Sequence, residues 1–237
     1  MCFTPNHSKE KVMSKIIQKE VFSFKELIEL KAKGTDKVRY QLIQLNTEYV
    51  SLSEHVFECG GWKEALIQIG FINPDLNYSG FGSQGDGACF TCEWIECKKL
   101  IEFFTTDIQP SKRIAPSERT GSEEDFYPWI VEQIGSQFDP EFSGIDFEIN
   151  GKVKRNNSLY VHENSCEVEL EYIDELTESQ LQLFDQFETS VNELKIQLCK
   201  AIYHSLEEEN DALSTDESLI DLDEANEYQW DINGNQE

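Results

Sequence analysis

Basic side chains are scarce in this sequence. Only 20 Lys and Arg stand against 46 Asp and Glu in 237 residues, a formal net charge of -26. A surface that anionic repels a phosphate backbone or an anionic leaflet, so direct nucleic-acid binding and electrostatic docking on a membrane are not expected. Long apolar runs are missing as well. No stretch reaches the ~18 residues of a membrane span. Residues 1–20 carry lysines where a secretory leader needs an apolar segment, so neither a membrane nor an exported location is expected. Metal-binding spacing is incomplete: Cys89, Cys92 and Cys97 have no second Cys or His pair, and the four histidines are scattered. The seven cysteines, at 2, 59, 89, 92, 97, 166 and 199, are odd in number and irregularly spaced. They read as free, buried thiols in a reducing, cytoplasmic compartment, with no metal. GxSxG, Walker A and HExxH signatures are absent too. The expectation is a protein that binds rather than one that turns substrate over, with no cofactor.

What is present suffices for a core: 15 Phe, 8 Tyr and 4 Trp within an apolar share of 39%. The charge is uneven. Residues 1–40 balance at +4, residues 41–155 at -10 and residues 156–237 at -20, the last segment holding 22 acidic residues and two lysines. Any electrostatic recognition should therefore involve the C-terminal third.

The pattern along the chain predicts an α+β fold, a small antiparallel sheet with helices packed on it and a long C-terminal helix. Residues 1–20 read as a flexible arm and 21–237 as one domain. A helix is expected over about Lys25–Lys33, stopped by Gly34. Val38, Leu42, Leu45, Tyr49, Leu52 and Val56 form a helical stripe over 36–57. Trp62–Ile69 reads as a short helix, and Leu76–Ile95 turns to β. There Asp86-Gly87 is the signal for a tight hairpin, because such turns need positive φ. Lys98–Phe104 and Phe126–Phe138 read as helices on either side of an exposed loop at about 105–125. Residues 145–172 form a second β region that includes Tyr160 and His162 and ends in the strict alternation Glu167-Val168-Glu169-Leu170-Glu171-Tyr172. Residues 177–210 carry the longest helical stripe. Ser214-Thr215-Asp216-Glu217 reads as a capping box, and Tyr228–Ile232 as an edge strand before a turn at Asn233-Gly234.

Three constellations bear on function. Gly80-Phe81-Gly82-Ser83-Gln84-Gly85 matches GxGxxG in letters, but strand rather than helix follows it, which excludes a dinucleotide fold. Its backbone N–H groups are still suited to cradle an anion, with Tyr78, Ser83, Gln84 and Asp86 at hand. Tyr160, His162 and Glu163 place a phenol, an imidazole and a carboxyl close together, the first two on one strand face. The glutamates Glu167, Glu169, Glu171, Glu207, Glu208 and Glu209 are candidates for contact with a basic partner. The triple Glu207–Glu209 opposes the helix dipole and reads as a frayed, solvated helix end.

The segments Tyr78-Ser79-Gly80-Phe81-x-Ser83-Gln84-Gly85-Asp86-Gly87-Ala88-x-Phe90, Tyr160-x-His162-Glu163 and Leu213-Ser214-Thr215-Asp216-Glu217 through Ala225-Asn226-x-Tyr228, in that order, resemble a phage and prophage family labelled "antitoxin of toxin–antitoxin stability system". Phe22-Ser23-Phe24-x-Glu26-Leu27 resembles that family's opening. Serine or a similar residue stands in the family's pattern where this chain has Cys89, and the lysine-rich arm and the 105–125 loop depart from it. The resemblance implies a mobile-element protein acting in a bacterial host, neutralising a toxin or a host protein. Two readings follow: an acidic inhibitor that occupies a basic partner, by carrying carboxylates where nucleic acid carries phosphates, or a module that holds a nucleotide-like small ligand on the glycine hairpin. An enzyme using Asp86 and His162 with Tyr160 as helper ranks third.

Overall fold

A computed structural model describes residues 20–49, 52–59, 61–109, 123–173 and 175–237. In chain order these form α1 (Phe24–Glu29), α2 (Thr35–Tyr49), a π-helical turn (Glu54–Cys59), α3 (Trp62–Ile69), β1 (Phe71–Ile72), β2 (Asp75–Tyr78), β3 (Ala88–Thr91), β4 (Trp94–Ile95), α4 (Cys97–Thr105), α5 (Glu123–Ile134), a 3-10 turn (Pro140–Gly144), β5 (Ile149–Arg155), β6 (Cys166–Tyr172), α6 (Glu178–Leu213) and α7 (Asp216–Asn226). The fold is α+β, with helices around small antiparallel sheets and one long helix near the C-terminus. Each sheet is two-stranded, pairing β1 with β4, β2 with β3 and β5 with β6. The arm at 1–20, except its last residue, and residues 110–122 of the expected loop lie outside the described residues. No helix of the described residues is long and apolar enough to cross a membrane.

The chain divides into two compact units, one from residues up to Asn46 together with Thr215–Glu237, the other Thr47–Ser214. In the first unit, Ser23 caps α1 in a reciprocal box with Glu26. The helix ends at Glu29, short of Gly34, with Leu30 as its C-cap and Lys31 at positive φ. Gly34 has a different role: its backbone lies against Gly234, and a Cβ on Gly34 would collide with that backbone. Phe24, Leu27, Val38, Leu42, Leu219 and Trp230 make the core. The tail pairs through isolated antiparallel bridges, Trp230 with Phe22 and with Gln236, rather than a full strand. Asp223, buried, accepts the Phe24 N–H at 2.8 Å and the Trp230 indole N–H at 2.6 Å. Arg39 grips Asp216 through two nitrogens, at 2.8 and 3.1 Å, a planar fork on a carboxylate. This bond raises the guanidinium's pKa and lowers that of Asp216. The cap of α7 is Thr215, accepting from Ser218 N, so the expected Ser214–Glu217 box is not formed; Ser214 instead closes α6.

In the second unit the stripe on α6 is buried as its spacing requires: Phe184, Phe187, Val191, Leu194, Leu198, Ile202 and Leu206. Phe104, Phe142 and Phe187 meet edge to face at 5.3–5.9 Å between ring centres. Thr177 and Gln180 close a capping box at its start. The helix runs four residues beyond Glu209, so Glu207–Glu209 sit within regular helix rather than at a frayed end. The stripe expected over 36–57 is divided between the cores: Val38 and Leu42 belong to the first, Leu52 and Val56 to the second.

Candidate functional site

The glycine segment is not a two-residue hairpin. Tyr78 pairs with Ala88, so nine residues, Ser79–Gly87, join β2 to β3. Asp86 lies inside this loop and its carboxylate accepts the N–H groups of Gly82 and Ser83, both at 2.7 Å. The side chain thus occupies the place that an external anion would take, and these two bonds, Ser83 first, hold its carboxyl below the usual carboxylate range. Tyr203 of α6 anchors the loop from beneath: its hydroxyl donates to Gly80 O at 2.9 Å and its ring stacks on Phe81 at 5.7 Å. Burial, with Glu207 and Asp86 nearby, pushes the Tyr203 hydroxyl's pKa up.

Tyr160, His162 and Glu163 are not on a strand. They lie in the connection 156–165 between β5 and β6. Polar side chains fold this segment onto itself: Ser165 Oγ donates to Tyr160 O at 2.6 Å and accepts His162 N at 3.1 Å, and Asn156 binds Asn164 O. His162 Nδ1 accepts the Asn164 N–H at 3.1 Å, which leaves the ring's proton on Nε2.

The two expected ligand segments do converge. The Tyr160 ring covers Gly85, and a Cβ on Gly87 would lie 2.7 Å from His162 Cβ. Ser79 Oγ reaches Val161 O at 3.2 Å. They fit by filling each other: glycine is required because the other loop stands where a side chain would go. Tyr78 is half-buried, its ring against Phe57 and Phe81, while Ser83 and Gln84 face outward. Asp86 and His162 each bind their own loop, which does not make them an acid/base pair. Acidification should loosen the clamp. The folded Asp86 has a lowered pKa, so its contribution is complete above the ordinary value of 3.8 and is lost as pH falls through the lower folded value. Exchange of the Gly82 and Ser83 amides should rise in that window in the wild type, and at neutral pH in Asp86→Ala. Equal protection in both proteins would show that the carboxylate does not hold the loop.

The glutamates separate into distinct surroundings. Lys154 bonds Glu169 and lies 3.1 Å from Glu167, and Lys152 lies 3.2 Å from Glu169. These bonds raise the Lys154 pKa and lower that of Glu169. Cross-strand lysines therefore already meet Glu167 and Glu169, as opposite charges on neighbouring strands do. Glu169 and Glu171 line a small cleft of about 190 Å³ with Lys152, Asn150 and Glu93. On α6, His204 lies 3.9 Å from Glu207 and 3.5 Å from Glu208. Glu163 lies 3.9 Å from Lys200.

A larger acidic feature was not singled out in the sequence. Gln182, Asp185, Gln186, Thr189 and Ser190, along one side of α6, with Asp139 and Glu141, line a groove of about 640 Å³. Three carboxylates line it and no basic residue does. The spacing 182, 185, 186, 189 is helical, the polar counterpart of the buried stripe, and was the available signal.

The thiols are also sorted by the fold rather than by spacing. Cys92 lies just past β3 and bridges Val153 of β5, and Cys97 opens α4. Cys89 of β3, Cys166 of β6 and Cys199 of α6 are buried in one core cluster, where the Cys166 Sγ donates weakly to Glu163 O at 3.9 Å. All five of these cysteines are free and buried. Among the described residues, no group of three or more His, Cys, Asp or Glu is placed to hold a metal ion. Lys195 was missed as well, although a lysine next to Leu194 in the apolar stripe of α6 was a visible anomaly. It is buried, and its ammonium donates to Glu163 O at 2.9 Å and Cys166 O at 3.0 Å.

Residues 62–216 match a family described as a domain of unknown function (DUF8835), and the chain belongs to that family. No curated protein and no solved structure matches the chain.

Proposed function

We propose that this DUF8835 protein is an acidic capture module of the inhibitor or antitoxin type, which occupies the basic surface of a toxin or host protein inside a bacterial cell. The observation that carries the reading is the groove between Asp139, Glu141 and the Asp185 side of α6, in a chain of net charge -26. Arginine and lysine side chains that hold phosphates also accept carboxylates, often in the same bidentate geometry. A polar groove with no cation of its own suits such side chains, and the surrounding negative field speeds their arrival. Glu207 and Glu208 extend the same charge along α6. Glu167 and Glu169 contribute less, because lysines already accompany them.

The test compares immobilised wild type with the triple variant Asp139→Asn, Glu141→Gln, Asp185→Asn in bacterial lysate. Asparagine at 139 keeps the side-chain oxygen that accepts Glu141 N. The wild type should retain a basic protein that moderate salt releases, and the variant should retain at least about tenfold less, as expected from losing three charges at a partly desolvated contact. Equal retention by both, or none by either, contradicts the groove.

A second reading draws on the convergence of the glycine loop with 156–165, where Tyr160 is exposed beside Asp86's loop. A nucleotide-like ligand there would have to displace the Asp86 carboxylate from Gly82 and Ser83. A nucleotide panel that raises the melting temperature would favour this site over the groove.

A further inference from the structure

We propose that β6 is an open sheet edge that takes up an extended segment of a basic partner protein, added antiparallel, with Lys or Arg at every second position and apolar side chains between. The hydrogen-bond register fixes which groups this edge presents. Val153 of β5 turns its backbone away from β6: Cys92 N–H donates to Val153 O at 3.0 Å, and Val153 N–H donates to Cys92 Sγ at 3.3 Å. Val153 stands opposite Val168. In an antiparallel ladder such a non-bonded pair sends the polar groups of both residues outward. The bonds that bracket the ladder agree. Asn156 N–H donates to Ser165 O and Ile173 N–H to Glu148 O, so the odd-numbered residues of this stretch bond β5. Glu167, Glu169 and Glu171 follow that pattern, and Val168, Leu170 and Tyr172 turn their N–H and C=O groups to the other side.

Among the described residues no second strand flanks β6 on that side. At the start of the strand Lys195 Nζ takes the place of one, donating to the outward Cys166 O at 3.0 Å. Beyond it, no described backbone or side-chain group bonds the outward groups of Val168, Leu170 and Tyr172. Such a row is a template for another strand. The two faces of β6 differ in chemistry. On the face toward α6, Leu170 is buried, Val168 is half-buried and the Tyr172 ring meets Phe184 edge-on at 5.0 Å. Tyr172 and Ile173, 42% and 57% exposed, leave apolar surface at the end of the edge. The other face carries the glutamates. Lysines 154 and 152 stand opposite Glu167 and Glu169, but Asn150 stands opposite Glu171. Glu93 shares a cleft with Glu169 and Glu171 and adds a further carboxylate.

Charge selects the occupant. Residues paired across a ladder share a face, so a strand added to β6 sets its own alternate side chains beside the glutamates. Lysine or arginine there completes a row of cation, carboxylate and cation across three strands. The intervening side chains fall on the α6 face beside Val168 and Tyr172, where Val, Ile or an aromatic fits. A second copy of the chain is the wrong occupant. Pairing through the same outward groups of β6 would set glutamates opposite glutamates, on two molecules that each carry a net charge of -26. The glutamate row thus bars self-pairing and admits a basic strand. The edge shares no residue with the groove beside Asp185.

The test adds to the full chain a capped peptide alternating lysine and valine, seven residues long like β6, and follows amide hydrogen exchange by NMR. In the free protein the Glu169 amide should be protected while the Val168 and Tyr172 amides exchange fast. The peptide should slow these two by about tenfold or more. In an antiparallel addition the valine N–H groups point at β6 and the lysine N–H groups at solvent. N-methylation of the valines should therefore abolish the protection, and N-methylation of the lysines should spare it. Glu171→Lys, at the position with no lysine across the ladder, should weaken the peptide about threefold by setting like charges side by side. An alternating glutamate–valine peptide should leave β6 unprotected. Val168 and Tyr172 amides already protected in the free chain, equal effects of the two N-methylations, or equal protection by the glutamate peptide overturns the edge. A groove that captures nothing would leave these amides unchanged, so the two surfaces fail separately.

Discussion

Replacing Lys195 with alanine is expected to lower the stability of the Thr47–Ser214 unit by about 3–5 kcal/mol, because two buried carbonyls lose a charged donor and a buried side chain is truncated. Two losses add up in one place. The Glu163 and Cys166 carbonyls lose their donor, and each buried acceptor left unmade costs about 1–3 kcal/mol. The stem of the lysine, packed beside Leu194 and Leu198 in the α6 stripe, leaves a cavity. Methionine at 195 restores the volume but not the donors, so it should recover only part of the loss. Urea unfolding of the three proteins measures this. A change below about 1 kcal/mol for alanine would mean that the ammonium is not the group satisfying these carbonyls.

Asp223→Ala should have a comparable effect on the other unit, about 3–5 kcal/mol, because two donors inside its core lose one acceptor at once. Phe24 N–H and the Trp230 indole N–H both point at this carboxylate. Between them they tie the start of α1 to the tail, where Phe22 and Trp230 also exchange backbone bonds at 2.8 and 3.0 Å. Asparagine is not a rescue. Its carboxamide offers one oxygen and one NH₂, so one of the two donors would face another donor. Hydrogen exchange at Phe24 and at the Trp230 indole should therefore speed up in both variants. Unchanged protection of the indole in Asp223→Ala would contradict the shared-acceptor arrangement.

These two residues also mark the limits of reading the chain as letters. The stripes at three and four spacing gave α3 and α6 nearly to the residue, since apolar periodicity is a local property that burial enforces. The stop after α1 was misplaced because Gly34 is demanded by a contact with Gly234, two hundred positions away, and not by a helix end. Asp86-Gly87 was read as a tight turn because the dipeptide fits one. The carboxylate reaches back three and four residues instead, and the loop it organises is nine residues long. Tyr160 and His162 looked like a strand, but the serine and asparagine around them bond the backbone and outcompete a ladder. Their approach to the glycine loop is explained by the glycines, which leave room for the other loop where a side chain would stand. The thiol cluster had no local signal at all: Cys89, Cys166 and Cys199 are joined only by the packing of β3, β6 and α6.

The same division applies to charge. A count of carboxylates pointed to the C-terminal third, yet Lys152 and Lys154 temper Glu167 and Glu169. The groove beside Asp185 draws Asp139 and Glu141 from a segment with a weaker excess of charge. Net charge sets the long-range field, and the fold decides where carboxylates stand without a cation between them.

The most direct measurement is the dissociation constant of the protein that the wild type captures, taken across a salt series for the wild type and for the triple variant at Asp139, Glu141 and Asp185. If the groove receives basic side chains, affinity falls steadily with ionic strength, and the variant binds more weakly with a shallower dependence. A salt dependence identical in the two proteins, or affinity indifferent to salt in the wild type, would place recognition elsewhere on the molecule.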